Sequence, residues 1–383
     1  SNYLDKYLLE VNGRYDGSSK FPKSSRFGFF PSVSAGWQIA QERFMNSTRH
    51  WLDGLKLRAS YGVIGNQNIN PYTFTPSMSV NNKATSWIID DTYVTSISSL
   101  PALVSQNFTW EKVGTINVGL DVNLFNNRLS GVFEWYQRNT NGMLAPGVQL
   151  PAVVGASAPY QNTADMRTRG WELSLNWRDQ IGKVGYRIGF NLSDYKSEII
   201  KYDDNAATKL LSSYYPGQTL GEIWGYVVDG YYTVDDFVDT SSWQLKEGVT
   251  SINGYNVRPG DVKFKNLRDD DTSTNVITSG DNTFDNPGDR KVIGNTTPRY
   301  QYGINLGMNY AGFDLNVILQ GTGKRDYWIS NVLTFPMNGD NFVPLFEGLS
   351  DYWMPKDPDN GDWSAVTVSY THLRAHETKA NLV

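Results

Sequence analysis

Apolar and polar residues alternate one for one over long stretches of this chain, the period of an extended strand whose side chains point to opposite faces in turn. Trp171, Leu173, Leu175 and Trp177 fall on one face, with Glu172, Ser174 and Asn176 on the other. A turn around Gly182 follows. Val184, Tyr186, Ile188, Phe190 and Leu192 then alternate with Gly185, Arg187, Gly189 and Asn191, which predicts a hairpin. Ile116 to Leu124 and Leu129 to Arg138, joined at Asn126-Asn127, repeat the unit, as do Tyr302 to Tyr310 and Phe313 to Gln320 about Gly312. Tyr7 to Tyr15, Phe27 to Ile39 and Leu55 to Val63 alternate likewise, the last with Lys56, Arg58 and Ser60 on its polar face. The pattern predicts about ten strands, several of them about 9 to 11 residues long, enough to cross a bilayer at a tilt.

Long polar stretches separate the strand pairs at 64–109, 139–168, 193–300 and 321–363, so short turns alternate with long loops. A soluble sandwich favours short connections at both ends, whereas an outer-membrane barrel has short turns on one side and long loops on the other. Trp37, Tyr61, Trp135-Tyr136, Trp171, Trp177 and Tyr310 gather near predicted strand ends, as interfacial girdles do. The polar faces are rich in Gly, Asn and Ser rather than Lys and Glu, which predicts packing against something inside a wide lumen.

Composition narrows the classes. Aromatics make up 14% and there are 35 glycines, a mixture that favours strands and tight turns. A net charge of -5 supplies no basic field for nucleic acid. The absence of cysteine removes disulfide scaffolds, thiolate zinc sites and Cys nucleophiles together. No run approaches the roughly 18 to 20 unbroken apolar residues of a membrane helix. Ser1 to Lys6 lacks the apolar core of a signal peptide and reads as the inside of a longer chain.

Residues 7–44, YLLEVNGRYDGSSKFPKSSRFGFFPSVSAGWQIAQERF, resemble the barrel signature of the SusC/RagA family of TonB-dependent receptors. That signature carries an R-x-D-G-S-S-x-F hairpin followed by F-P-S-V-S-A-x-W. LKLRASYGVIGNQ at 55–67, TWEKVGTINVGLDVNLFNNRLSG at 109–131 and NTADMRTRGWELSLNW at 162–177 follow in the family's order. So do GQTLGEIWGYVVDGYY at 217–232, PGDVKFKNLRDDD at 259–271 and VIGNTTPRYQYGINLGMNYAGFDLNVILQG at 292–321. The resemblance implies an all-β fold, part of an antiparallel transmembrane β-barrel of about 22 strands with long extracellular loops. It further implies import of oligosaccharides or peptides across the outer membrane of a Bacteroidetes-type bacterium. A SusD-like surface lipoprotein would act as lid, and TonB would pull on a plug domain that this chain lacks. Residues 1–367 are expected to form the barrel portion. The tail at 368–383, VSYTHLRAHETKANLV, resembles a translated sequencing-adapter read-through.

Candidate chemistry is sparse. His372 and His376, with Glu377, have a spacing that could mimic zinc ligands on a helix but lie in that tail, and His50 reads as a turn or interfacial residue. Asp261, Asp269, Asp270, Asp271, Asp281, Asp285 and Asp289 cluster at 259–290. Asp269, Asp271 and Asp281 are the candidate calcium ligands, although the tight-turn Gly of a calcium loop is absent, Arg268 adds a positive charge, and a solvated acidic turn is the favoured reading. Trp224, Tyr226, Tyr231 and Tyr232, together with Trp87, either form platforms for sugar rings or fold their loops. No nucleophile and base combination emerges, so the chain reads as a transport wall and not an enzyme. The competing class is a secreted carbohydrate-binding β-sandwich. The two differ in where the apolar rows look: toward lipid in a barrel, toward a second sheet in a sandwich.

Overall fold

The computed structural model describes residues 1–77, 80–81, 88–89, 92–93, 96–97, 103–105, 109–148, 150–205, 210, 214–268, 275–327, 355–357 and 362–365. The chain forms two compact units. One comprises residues 1–206, 215–219 and 299–323, and the other 207–214, 220–298 and 324–383.

The first unit is a single ten-stranded sheet. Its strands are β1 (Asn2–Tyr3), β2 (Tyr7–Gly17), β3 (Phe27–Gln38), β4 (Leu52–Asn66), β5 (Glu111–Leu124), β6 (Leu129–Pro146), β7 (Tyr160–Ile181) and β8 (Val184–Tyr202). After an insert, β15 (Arg299–Tyr310) and β16 (Phe313–Lys324) complete it. Each strand neighbours the next in sequence, and the intervening segment between β8 and β15 leaves and returns at adjacent positions. Connections at one end are mostly the shorter, with 39–51 the exception. Residues 4–6, 39–51, 125–128, 182–183 and 311–312 lie at one end, and 18–26, 67–110, 147–159 and 203–298 at the other.

Most strands outrun their alternating cores. β6, β7 and β8 are 18, 22 and 19 residues long, so most of the expected 139–168 loop is strand and only 147–159 connects β6 to β7. The reason lies in a change of outward residue type, not a break in pairing. Above the paired Trp135 and Trp171 the same face carries Gln137, Asn139, Arg167 and Arg169, bonded to one another across β6 and β7. Polar residues ended the apolar pattern while the backbone ladder continued.

Register places the apolar residues in rows. One row runs Tyr7, Trp37, Leu57, Leu120, Phe133, Leu173, Leu192 and Tyr302 across eight strands. Tyr7 is the first residue of β2, next to a short connection, whereas Tyr302 stands 310 − 302 = 8 residues from the turn end of β15. The row therefore climbs from the short-connection end toward the loop end, the stagger that closing a barrel requires. At a strand spacing of about 4.8 Å and a tilt of about 40°, each step rises about 3 Å and seven steps about 21 Å, close to the height of an outer-membrane apolar band. Aromatics stand at both ends of the row and aliphatics dominate its middle.

These rows are not covered. Val11 is 70% exposed, Phe29 62% and Phe313 81%, and Leu57, Val118, Phe133, Ile188 and Leu306 are exposed as well. A sandwich needs this face inside. The buried cluster of the sheet unit is instead a small one near the loop end, where Phe21, Phe30 and Trp110 pack with Val63, Ile69, Phe74 and Leu144. Trp110 Nε1 donates to the Arg26 carbonyl at 3.2 Å, tying the 67–110 connection to the 18–26 loop. No helix among the described residues is long and apolar enough to cross a membrane, which says nothing of crossing by strands.

The second unit is built on short ladders. β9 (Glu222–Gly225) pairs with β14 (Lys291–Asn295), β10 (Val228–Tyr231) with β12 (Val262–Phe264), and β11 (Ser251–Ile252) runs parallel to β13 (Val276–Ile277). Its core is Tyr232, Phe237 and Val257, flanked by Trp243, Leu245, Val249 and Ile252.

Candidate functional site

The polar face of the sheet carries rows of hydrogen-bonding groups. Next to the apolar row, Arg58, Gly119, Glu134, Glu172, Ser193 and Gln301 pair across β4 to β15. Arg58 lies across Gly119: it bonds Asp121 at 3.1 Å on one side and Glu134 on the other. A Cβ on Gly119 would sit 2.7 Å from Arg58 Cζ. Gly170 is covered in the same way by Tyr136. The glycines of this face thus make room for long side chains of neighbouring strands. Such partly exposed pairs contribute about 0.2–1 kcal/mol each, so they orient groups more than they stabilise the sheet.

The turn end is anchored by Glu42, which accepts from Tyr7 Oη at 2.7 Å, Lys6 Nζ at 3.0 Å and Trp37 Nε1 at 3.2 Å. Those bonds, the Tyr7 one first, hold the Glu42 carboxyl below its usual range. At the loop end Arg299 grips Asp194 through both nitrogens at 2.5 Å, where the chain re-enters the sheet. His50 is exposed in the turn before β4, with Nδ1 3.0 Å from the Ser47 carbonyl.

The aromatic candidates separate. Tyr232 is fully buried, packs on Phe237 and donates to the Thr250 carbonyl at 2.6 Å, so it folds the insert rather than offering a face to a sugar. Burial pushes its phenol up to about 12. Trp224 packs edge-on to Phe284 and donates to Glu222, and Tyr231 is half-buried in β10. Tyr226 remains a lining residue: with Tyr255, Phe264, Asn253 and Thr278 it borders a cavity of about 500 Å³. Sequence reasoning missed Tyr255, which is 72% exposed and stands outside the motif that drew attention to its neighbours. Trp87 lies outside the described residues, as do Asp269, Asp270, Asp271, His372, His376 and Glu377.

Asp281 caps its own turn, accepting from Thr283 N and Oγ1. Asp289, grouped by sequence with the acidic cluster, is fully buried. It accepts from the backbone N–H groups of Leu267, Arg268 and Thr278 at 2.8, 3.2 and 2.7 Å. It is a staple for three chain segments, and its single position in a run of aspartates gave no sign of that. Asp236 likewise caps a turn: burial opposes its charge, but the Thr233 N–H and Lys263 outweigh that and hold the carboxyl low.

Comparison with known proteins places this arrangement. The family described as TonB dependent receptor-like, beta-barrel, matches residues 2–371. TonB-dependent receptor P3 of Formosa agariphila is 30% identical over 338 residues, covering 84% of this chain and 30% of that protein. TonB-dependent receptor SusC of Bacteroides thetaiotaomicron is 34% identical over 201 residues, 52% of this chain and 20% of SusC. Among solved structures, the RagAB peptide transporter superposes with a TM-score of 0.61 at 24% identity, covering 82% of this chain and 31% of that one. The chain thus spans about a third or less of each of these relatives.

Proposed function

Since the chain belongs to the TonB-dependent receptor β-barrel family, proteins of the bacterial outer membrane, we propose that it forms part of the wall of a SusC/RagA-type importer. In this reading the apolar rows meet lipid and the Arg, Asn and Glu rows line the path of a large polar nutrient, an oligosaccharide or a peptide. The carrying observation is the climbing row from Tyr7 to Tyr302, apolar at every strand, with Tyr7, Leu57, Phe133 and Tyr302 exposed and the residues between them half-buried rather than buried. A SusD-like lipoprotein covers the loop end, and TonB supplies energy through a plug domain outside this chain. The wall itself performs no covalent chemistry. Two relatives support the importer reading: one bears the name TonB-dependent receptor SusC, and RagAB is a peptide transporter.

The test is isolation of the full-length receptor from its native outer membrane in mild detergent. A heat-modifiable barrel that co-purifies with a surface lipoprotein, and whose deletion abolishes uptake of labelled oligosaccharides or oligopeptides, is expected. A full-length protein that stays monomeric in plain buffer would refute the reading in favour of the secreted sandwich.

A further inference from the structure

Three arginines stand side by side on the polar face at the short-connection end. Arg178 and Arg187 are direct cross-strand partners on β7 and β8. Arg128, just before β6, is joined to Arg178 by a backbone bond from the Arg178 N–H to the Arg128 carbonyl at 2.8 Å. Neighbouring strands are about 4.8 Å apart, so three like charges fall within about 10 Å, an arrangement that opposes folding when directly opposed. Their partners inside the sheet are few. Arg178 Nε donates to the Asn127 carbonyl at 3.2 Å and Arg187 Nη2 to Asn316 Oδ1 at 2.5 Å, both neutral acceptors. Among the described residues only Arg128 has an ionic partner, Asp179 at 3.2 Å. Each guanidinium carries five N–H donors and spends one on these bonds.

The surroundings suit an anion. The row above the arginines reads Asn123, Ser130, Asn176, Gly189 and Asn305, four neutral polar side chains and a glycine. Together the two rows border a concavity of about 840 Å³ with no carboxylate among the described residues that line it. Asp179 and Asp314 line the adjoining concavity, which Arg178 and Arg187 share. Gly307, next in the arginine row, has no Cβ, and Arg187 lies across it toward Asn316.

The geometry points to an oxyanion-binding site on Arg128, Arg178 and Arg187, taking the carboxylate or phosphate group of a polar solute. Guanidinium forks hold such groups through paired hydrogen bonds, and a bound anion relieves the mutual repulsion of the row. Which solutes reach the site rests on the lumen reading proposed above; binding itself does not.

The full-length receptor, purified in detergent, is heated in sodium chloride, sodium phosphate or sodium citrate at equal ionic strength while intrinsic fluorescence reports unfolding. Phosphate or citrate is expected to raise Tm by about 2–4 °C over chloride. Arg178→Gln/Arg187→Gln removes that shift yet melts no lower than the parent in chloride, because it also removes the like-charge contact. Arg58→Gln, on the same face outside the concavity, keeps the shift. Failure of both anions to raise Tm overturns the site, as does an equal shift in the double variant. A parent insensitive to anions but destabilised by the double substitution also overturns it, since an acidic side chain elsewhere in the protein would then hold the row. Loss of the heat-modifiable barrel in every sample would strike instead at the importer reading.

Discussion

Leu120 lies near the middle of the climbing row, three steps from Tyr7 and four from Tyr302, so replacing it with arginine tests the depth assignment directly. At about 3 Å per step Leu120 stands about 9 Å above the Tyr7 rim and about 12 Å below the Tyr302 rim. An arginine facing hydrocarbon at mid-depth costs about 2–4 kcal/mol, falling to about 0–1 kcal/mol near either interface. Leu120→Arg is therefore expected to lose about 2–4 kcal/mol, and Tyr302→Arg no more than about 1 kcal/mol beyond its lost ring contacts. Asn123→Arg, on the polar face three residues along β5, is expected to stay within about 1 kcal/mol of the parent. The assay is urea-induced unfolding of the full-length receptor in lipid vesicles, followed by tryptophan fluorescence and by the heat-dependent shift in gel migration. Equal costs at Leu120 and Tyr302, or a polar-face cost matching that at Leu120, would refute the lipid-facing assignment. A sandwich core would instead penalise every position of the row steeply.

Gly119→Ala places a methyl group against Arg58 and should destabilise by about 0.5–1 kcal/mol as its bonds to Glu134 and Asp121 are lost, overriding the usual gain from removing a strand glycine. Gly114→Ala, whose Cβ would meet only Tyr61 Oη at 3.6 Å, should stabilise by about 0.5 kcal/mol; the same denaturation series reads both signs. Asp289→Ala should cost the insert about 3–5 kcal/mol, seen as accelerated hydrogen exchange at Leu267, Arg268 and Thr278 while the sheet amides keep their protection. Tyr232 is held neutral by burial, with its pKa raised from 10.0 to about 12. Its contribution is complete below pH 10 and is lost as pH rises from there through about 12. Exchange of insert amides measured across that window should show the loss, and Tyr232→Phe should flatten it at a cost of about 1 kcal/mol for the missing bond to Thr250.

The period-two pattern made the sheet legible because one face of each strand is uniformly apolar, and a single period then fixes both the strand and the side it presents. It recovered the hairpins at Asn126-Asn127, Gly182 and Gly312. It failed above Trp135 and Trp171, where both faces turn polar and hydrophobicity no longer distinguishes a continuing ladder from a loop. The site was harder to read. Arg128, Arg178 and Arg187 are far apart in sequence, and only the register of three strands brings them into one row. Asp289 and Tyr232 look like surface chemistry in a linear reading because burial is a property of the folded insert, invisible in a run of Asp or Tyr.

Residues 203–298, 298 − 203 + 1 = 96 in number, leave β8 and rejoin at β15, two strands that are already hydrogen-bonded neighbours. For a flexible segment, lengthening such an excursion from about ten residues to about a hundred adds only about 2 kcal/mol of closure entropy. An excursion that also acquires a packed nucleus of its own, as this one has around Tyr232 and Phe237, recovers that loss internally. Mutation and recombination are therefore free to rewrite the excursion while the staves on either side keep their register.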